Sequence, residues 1–163
     1  MQTTPSRPKM PFMNRADWLA LLPHRPPFLF VDDVVEIGED AITTVFHATP
    51  DLAFFSGHFP GDPVMPGVLL CECCLQAGAI LMRRRNAAAE EGSVPIVTRI
   101  LEAKFKRVVR PGDRLRIHVA LDEELGGAFF MTGKASIEDE TALRCKFAVT
   151  RTRPADAAAG AGT

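Results

Sequence analysis

The sequence is poor in cysteine, in long apolar runs and in charge of one sign. Its four cysteines are the three in CECC and the distant Cys145, without a repeated CxxC motif or a Cys/His spacing typical of a metal site. We interpret them as reduced, buried thiols and expect neither metal nor cofactor. The longest apolar runs fall short of the ~20 residues of a membrane-spanning helix. The 19 basic and 20 acidic residues nearly cancel, which argues against a dedicated nucleic-acid-binding protein.

The length of the chain fits one domain. A chain of 163 residues can bury a core without disulfides or metal. Both ends lack a pattern that would pack, so we predict a disordered tail over residues 1–12, one domain over 13–153 and a second disordered tail over 154–163. Because the N-terminus shows no basic region, apolar stretch and cleavage site of a secretory signal, we expect a cytoplasmic location.

One long helix is predicted in the middle of the chain. Residues 67–85, GVLLCECCLQAGAILMRRR, follow a proline, which is tolerated at a helix start, and end in three arginines, which favour the negative end of the helix dipole. The helix is apolar around nearly its whole circumference, so other structure should enclose it. A short capped helix is predicted from Asn14 to Pro23. Strands are predicted over 28–37, 41–48, 97–109, 115–121, the segment after Gly127, and 142–150. This order predicts an α+β fold in which an antiparallel sheet curls around the helix.

A lone carboxylate interrupts the apolar helix. Burying Glu72 costs several kcal/mol unless the group is paired or neutralised. It therefore lies on a narrow exposed strip, pairs with a basic residue, or has a functional role. Gln76, one helical turn later, would share its face and is placed to hydrogen-bond the carboxyl group. A carboxyl group in a dry pocket favours the protonated form, which a general acid near neutral pH requires.

A histidine precedes this helix in the loop FFSGHFPGDPVMPG. A lone loop histidine is more often structural than catalytic, but the loop around His58 is too apolar to be left exposed to solvent. The loop runs into the helix start at Gly67, where free backbone N–H groups favour negative charge. A base, an acid and a helix N-terminus that stabilises negative charge, all in one short segment, are the groups required for proton abstraction next to a carbonyl group.

Three segments resemble one enzyme family. LPHRPPFLFVDDV, FFSGHFPGDPVMPGVLLCECCLQAG and AKFKRVVRPGDRLRI are similar to the characteristic segments of the FabZ-type (3R)-hydroxyacyl-[acyl carrier protein] dehydratases, whose fold is the hotdog. The resemblance spans roughly Leu21 to Thr150, and the central pattern GHFPxxPVMPGVLxxE is highly specific. It implies dehydration of (3R)-3-hydroxyacyl thioesters to trans-2-enoyl thioesters in fatty acid or related lipid or polyketide biosynthesis.

The resemblance also implies roles for individual residues. His58 matches the family's catalytic histidine and Glu72 its catalytic carboxylate, while the N–H of Gly67 would bind the thioester carbonyl. Glutamate at this position, where FabA-type relatives carry aspartate, favours dehydration without isomerisation. The substrate tunnel would be lined by apolar loop residues and one helix residue. These are Phe54, Phe55, Phe59, Pro60, Val64, Met65, Pro66 and Gln76.

The same resemblance implies partners. The substrate would be linked to the phosphopantetheine of an acyl carrier protein or to CoA. In the family the active sites lie at the interface of a homodimer, with histidine from one protomer and glutamate from the other, and trimers of dimers are common. Because acyl carrier proteins are acidic, basic residues are candidates for steering them, although each is equally well read as ordinary solvated surface. These are Arg83, Arg84, Arg85, Lys104, Lys106, Arg107 and Arg110.

The chain departs from the family pattern at Pro26, where tyrosine is common, and it contains no tyrosine at all. A thiol nucleophile at Cys73 or Cys74 is disfavoured, since no histidine lies near them in sequence. The remaining histidines are interpreted as structural; they are His24, His47 and His118.

Two other functional classes compete with a dehydratase. Hotdog acyl-CoA thioesterases hydrolyse similar substrates but generally lack the histidine of the GHFP motif, so His58 argues against them. A non-catalytic acyl-binding subunit is opposed by the presence of both His58 and Glu72.

Overall fold

The chain contains one long central helix, which four strands follow in sequence. The computed structural model describes residues 13–85 and 94–152. The tails predicted over 1–12 and 154–163 lie outside these described residues. The elements in chain order are α1 (Arg15–Leu21), β1 (Asp33–Ile37), β2 (Ala41–His47), α2 (Phe54–Gly57), α3 (Gly67–Arg85), β3 (Val94–Phe105), β4 (Arg114–Leu125), β5 (Ala128–Ile137) and β6 (Glu140–Thr152).

The six strands form one antiparallel sheet in the order β1-β2-β4-β5-β6-β3. Among residues 13–85 and 94–152, two edges of the sheet therefore have no strand partner, one along β1 and one along β3. The pairing of β3 with β6 changes register twice, between Val97 and Arg99 and between Ile100 and Glu102. These two irregularities are typical of bulges, which bend an edge strand and increase its twist.

Helix α3 packs against the inner face of this sheet. Its predicted bounds, Gly67–Arg85, are confirmed, and most of its side chains are buried. The helix approaches β5 closely at Gly133, because a Cβ atom there would lie 2.9 Å from the Sγ atoms of both Cys74 and Cys145. The predicted α+β fold, an antiparallel sheet wrapped around one long helix, is confirmed.

Two strand predictions need correction. The strand predicted over 28–37 begins only at Asp33, because the backbone of Phe28 and Phe30 bonds to the side chain of Gln76 instead of a neighbouring strand. The strand predicted over 97–109 ends at Phe105, and the carbonyl of Val109 instead accepts from the loop that leads into α3. In both places a tertiary contact outweighs a β-prone local sequence.

The shorter elements are consistent with their local sequence. The predicted cap of α1 is confirmed, since the side chain of Asn14 accepts from the backbone N–H of Asp17. Trp18 and Leu22 are buried, whereas Leu21 is only half-buried. The four-residue helix α2 was not predicted. None of the helices in the described ranges is both long and apolar enough to cross a membrane.

Candidate active site

His58 ends α2 and is held by the loop that follows it. Its backbone N–H donates to the carbonyl of Phe54 at 3.0 Å, and its own carbonyl accepts from the N–H of Val64 at 2.8 Å. The ring Nδ1 lies 2.9 Å from the carbonyl oxygen of Val64. Because a carbonyl oxygen only accepts, Nδ1 carries the hydrogen, and in the neutral ring the lone pair is then on Nε2. The loop therefore presents one oriented basic nitrogen.

One aromatic ring stacks on this histidine, and two others pack together in the helix before it. Phe59 stacks on the imidazole with 4.1 Å between ring centroids, and the rings of Phe54 and Phe55 are 4.6 Å apart. Of the predicted tunnel residues, Phe55 and Met65 are buried within the protomer, whereas Phe59 and Pro60 are exposed. Phe54, Val64 and Pro66 are half-buried between these extremes.

Helix α3 starts next to this loop and offers free donors. Leu69 and Leu70 both donate to the carbonyl of Pro66, at 2.9 and 3.4 Å. Among the described residues, the N–H of Gly67 has no backbone acceptor, as expected in the first turn of a helix. A Cβ atom at Gly67 would lie 2.8 Å from Cε1 of Phe105, so a side chain fits only if that ring moves. Glycine thus lets the ring of Phe105, at the end of β3, pack against the start of α3.

Glu72 lies on the least buried face of α3. Val68, one turn before it, is 73% exposed, whereas the Glu72 side chain is only 18% exposed. The predicted hydrogen bond from Gln76 is present, with Nε2 donating to Oε1 of Glu72 at 3.0 Å. Nε2 of His24 lies 3.5 Å from the same oxygen. In the part of the chain that the structure describes, polar neighbours rather than a lysine or arginine therefore reduce the cost of placing a carboxyl group here.

Gln76 is fully buried, and its amide binds the chain segment before β1. Its Oε1 accepts from the N–H of Phe30 at 2.8 Å, and its Nε2 also donates to the carbonyl of Phe28 at 3.3 Å. Since an N–H donor fixes which end of the amide is oxygen, the amide nitrogen must face Glu72. Gln76 therefore orients both the loop and the carboxyl group.

The histidine and the carboxylate form two separate clusters in one protomer. Across residues 13–85 and 94–152, no hydrogen bond or ion pair joins His58 to Glu72. Sequence reasoning also missed the contact of His24 with Glu72, because the two residues are far apart in sequence. The only sequence signal was the presence of His24 in the segment LPHR.

The basic residues predicted to steer a carrier protein are partly neutralised by acidic neighbours. Arg107 pairs with Glu140 at 2.6 Å and Arg110 with Asp62 at 2.6 Å. Two further pairs are Lys104 with Glu102 at 2.5 Å, and Arg85 with Asp40. The ion pairs reduce the net positive charge of the predicted docking residues.

The cysteines of α3 are poor nucleophiles. All four cysteines of the chain are free and buried. Burial raises the pKa of Cys71 to about 11 and raises the pKa of Cys73 further. A hydrogen bond with Cys145, together with burial, raises the pKa of Cys74, and the same bond lowers the pKa of Cys145. Since the thiolate is the reactive form, these shifts disfavour covalent catalysis by Cys73 or Cys74.

Comparison with known proteins gives consistent matches. The family model described as the FabA-like domain matches residues 22–146. A protein of Petrotoga mobilis named 3-hydroxyacyl-[acyl-carrier-protein] dehydratase FabZ is 35% identical over 137 residues, which cover 84% of this chain and 96% of the relative. A protein of the same name from Rickettsia rickettsii is 39% identical over 132 residues, which cover 80% and 88%.

Solved structures match the fold. A structure of the dehydratase heterocomplex ApeI:P from Xenorhabdus doucetiae aligns with a TM-score of 0.75 at 15% identity, covering 90% of this chain and 97% of the other. A thioesterase from Haemophilus influenzae aligns with a TM-score of 0.57 at 15% identity, covering 74% and 78%. At such identities the likeness establishes the hotdog architecture alone.

Proposed function

The chain belongs to the FabA-like family as a FabZ-type 3-hydroxyacyl-[acyl-carrier-protein] dehydratase, and on this basis we propose that His58 and Glu72 are its catalytic base and acid. The observation that carries the assignment is the hydrogen bond from Nδ1 of His58 to the carbonyl of Val64. This bond leaves Nε2 as the only basic nitrogen of the neutral ring, as a general base requires.

In the proposed reaction, Nε2 of His58 removes one proton from C2 of a (3R)-3-hydroxyacyl thioester. The N–H of Gly67 donates to the thioester oxygen as electron density builds on it. Glu72, in its protonated form, transfers its proton to the C3 hydroxyl group as the C–O bond breaks. A double bond forms between C2 and C3, and water leaves. The product is the trans-2-enoyl thioester, and a proton returned from His58 to Glu72 completes the cycle.

The two catalytic groups would meet across a homodimer. The unpaired edge of β3 and the loop after it carry large apolar side chains exposed in the protomer, which favour strand pairing with a second copy. These are Ile96, Ile100, Leu101, Phe105 and Val108. Phe105 also contacts Gly67, so this edge is continuous with the helix start. A partner at this edge would bring its Glu72 towards His58, and trimers of such dimers follow from the family resemblance.

The acyl group would be delivered by an acyl carrier protein in the cytoplasm, with CoA thioesters as alternative substrates. Of the predicted docking residues, Lys106 is exposed and has no acidic partner among the described residues. It is therefore the strongest candidate contact for an acidic partner. Arg83 and Arg84, at the end of α3, complete the proposed patch.

The test measures hydration of a crotonyl thioester by loss of enoyl absorbance, in wild type, His58→Ala and Glu72→Gln. General acid–base groups contribute about 10²- to 10⁴-fold, so each variant should lose at least that much turnover and keep its fold by circular dichroism. Gly67→Ala should also lose turnover, because Phe105 must move to admit the methyl group. Turnover near wild type in His58→Ala or Glu72→Gln would refute the assigned roles.

The same assay separates the alternatives. Release of free thiol without a change in enoyl absorbance would indicate a thioesterase. Saturable binding of an acyl thioester without turnover by the wild type would indicate a non-catalytic acyl-binding subunit.

A further inference from the structure

A second histidine lies beside the proposed acid. Nε2 of His24 is 3.5 Å from Oε1 of Glu72, and the His24 ring stacks on Phe28 with 6.2 Å between centroids. His24 belongs to the loop between α1 and β1, and the same loop is tied to α3 by the amide of Gln76. The fold therefore delivers an imidazole to the carboxyl group from a different part of the chain.

The surroundings of His24 favour one tautomer. Its other nitrogen, Nδ1, is buried and has no hydrogen-bond partner among the described residues. A hydrogen on Nδ1 would leave a buried N–H unsatisfied and turn a lone pair towards Glu72. A hydrogen on Nε2 points at the carboxyl oxygen and leaves only an unsatisfied acceptor, which folded proteins tolerate more often. Nε2 of His24 therefore carries the hydrogen and faces Oε1 of Glu72 at 3.5 Å, a polar contact longer than an ordinary hydrogen bond.

Two side-chain N–H groups then lie near one oxygen of the carboxyl group, one of them in a hydrogen bond. Nε2 of Gln76 is 3.0 Å from Oε1 of Glu72, and Nε2 of His24 approaches the same atom. The terminal torsion of a glutamate is otherwise broad, so donors on one oxygen fix the plane of the group. Because Oε1 accepts from Gln76 and faces Nε2 of His24, a proton on the carboxyl group belongs on Oε2.

We propose that His24 is a positioning residue for Glu72. It holds Oε1 so that Oε2 and its proton face the C3 hydroxyl group of the substrate. The inference rests on the proposed function of Glu72 as acid, and His24 itself contacts none of the reacting atoms. It replaces our interpretation of His24 as purely structural.

The first test compares three variants of His24. His24→Ala should lower kcat roughly 10- to 100-fold, the cost of a slightly misplaced reacting group, with KM within about 3-fold of wild type. His24→Gln should recover most of the loss, because its terminal amide can reach the position of Nε2. His24→Asn should not, because its shorter amide reaches only the position of Nδ1. His118→Ala, at an exposed histidine, is the matched control and should keep wild-type kcat.

The second test asks whether His24 acts through Glu72. In the Glu72→Gln background, His24→Ala should cost at most about 2-fold, because the group that it positions is no longer an acid. An equal loss in both backgrounds, or full kcat in His24→Ala, would overturn the inference. Should His24→Ala fail to fold, equal turnover of His24→Gln and His24→Asn would overturn it instead. An inactive wild type would refute the proposed function, whereas an active wild type with an unaffected His24→Ala refutes the positioning role alone.

Discussion

Replacement of Gln76 by methionine would remove all three hydrogen bonds of its buried amide while keeping a side chain of similar length. The bond to Phe30 matters most, because its N–H is buried and would be left without an acceptor. The bonds to Phe28 and Glu72 involve groups that are nearer to solvent. The variant therefore separates the contribution of these bonds from that of helix packing.

The expected loss is large for one substitution. An unsatisfied buried N–H costs about 1–3 kcal/mol, and each of the other two bonds contributes about 0.5–1.5 kcal/mol. Burial of the more apolar methionine offsets part of this, so we expect about 3 kcal/mol of lost unfolding free energy. At roughly 2–4 °C per kcal/mol for a chain of this size, Tm should fall by roughly 6–12 °C. Turnover should fall as well, because Glu72 loses its nearer donor.

The assay is thermal unfolding followed by circular dichroism at fixed protein concentration, paired with the hydration assay. Thr43→Val is the matched control, because it removes one hydrogen bond, at 3.1 Å to His118, from another buried polar side chain. It should cost no more than about 1.5 kcal/mol. A Gln76→Met protein that melts like the control would refute the reasoning that this amide holds the loop on α3.

Two further predictions concern the dimer and the buried thiols. Ile100→Glu, which places a charge on the β3 edge, should yield monomers in sedimentation velocity and abolish turnover. The control Val35→Glu, on the opposite sheet edge, should stay dimeric. A dimeric Ile100→Glu protein would contradict pairing along β3. Burial raises the pKa of Cys71 from its ordinary value of 9.0 to about 11, so its contribution to stability is complete below pH 9 and is lost as the pH rises towards 11. Chemical denaturation of wild type and Cys71→Ala across this range should show a steeper decline in wild type, and parallel curves would exclude the effect.

Much of the fold was predictable because local signals and tertiary packing agree. The bounds of α3 follow from Pro66 at its start and the arginine run at its end, and both signals act within the helix itself. The strand predicted from residue 28 failed because Phe28 and Phe30 bond to Gln76, a contact across 46 to 48 residues that β propensity does not contain.

The candidate site was predictable to a different degree. Glu72 could be identified as a candidate because burying an acid in an apolar helix costs free energy unless the group is paired or functional. The hydrogen bond from Gln76 follows from helix periodicity. The proximity of His24 to Glu72 could not be predicted, since no local pattern indicates which distant loop will fold over a helix face. The orientation of the His58 ring likewise depends on the path of the loop to Val64.

The bulged edge of β3 is also poorly shaped for open-ended pairing of chains. A straight, flat edge accepts any strand and allows open-ended stacking of chains. Here Pro95 removes one backbone donor near the start of the strand, and two register changes bend the remainder. Such an edge is a poor template for open-ended stacking, so the proposed pairing of two copies along it would close into a finite assembly.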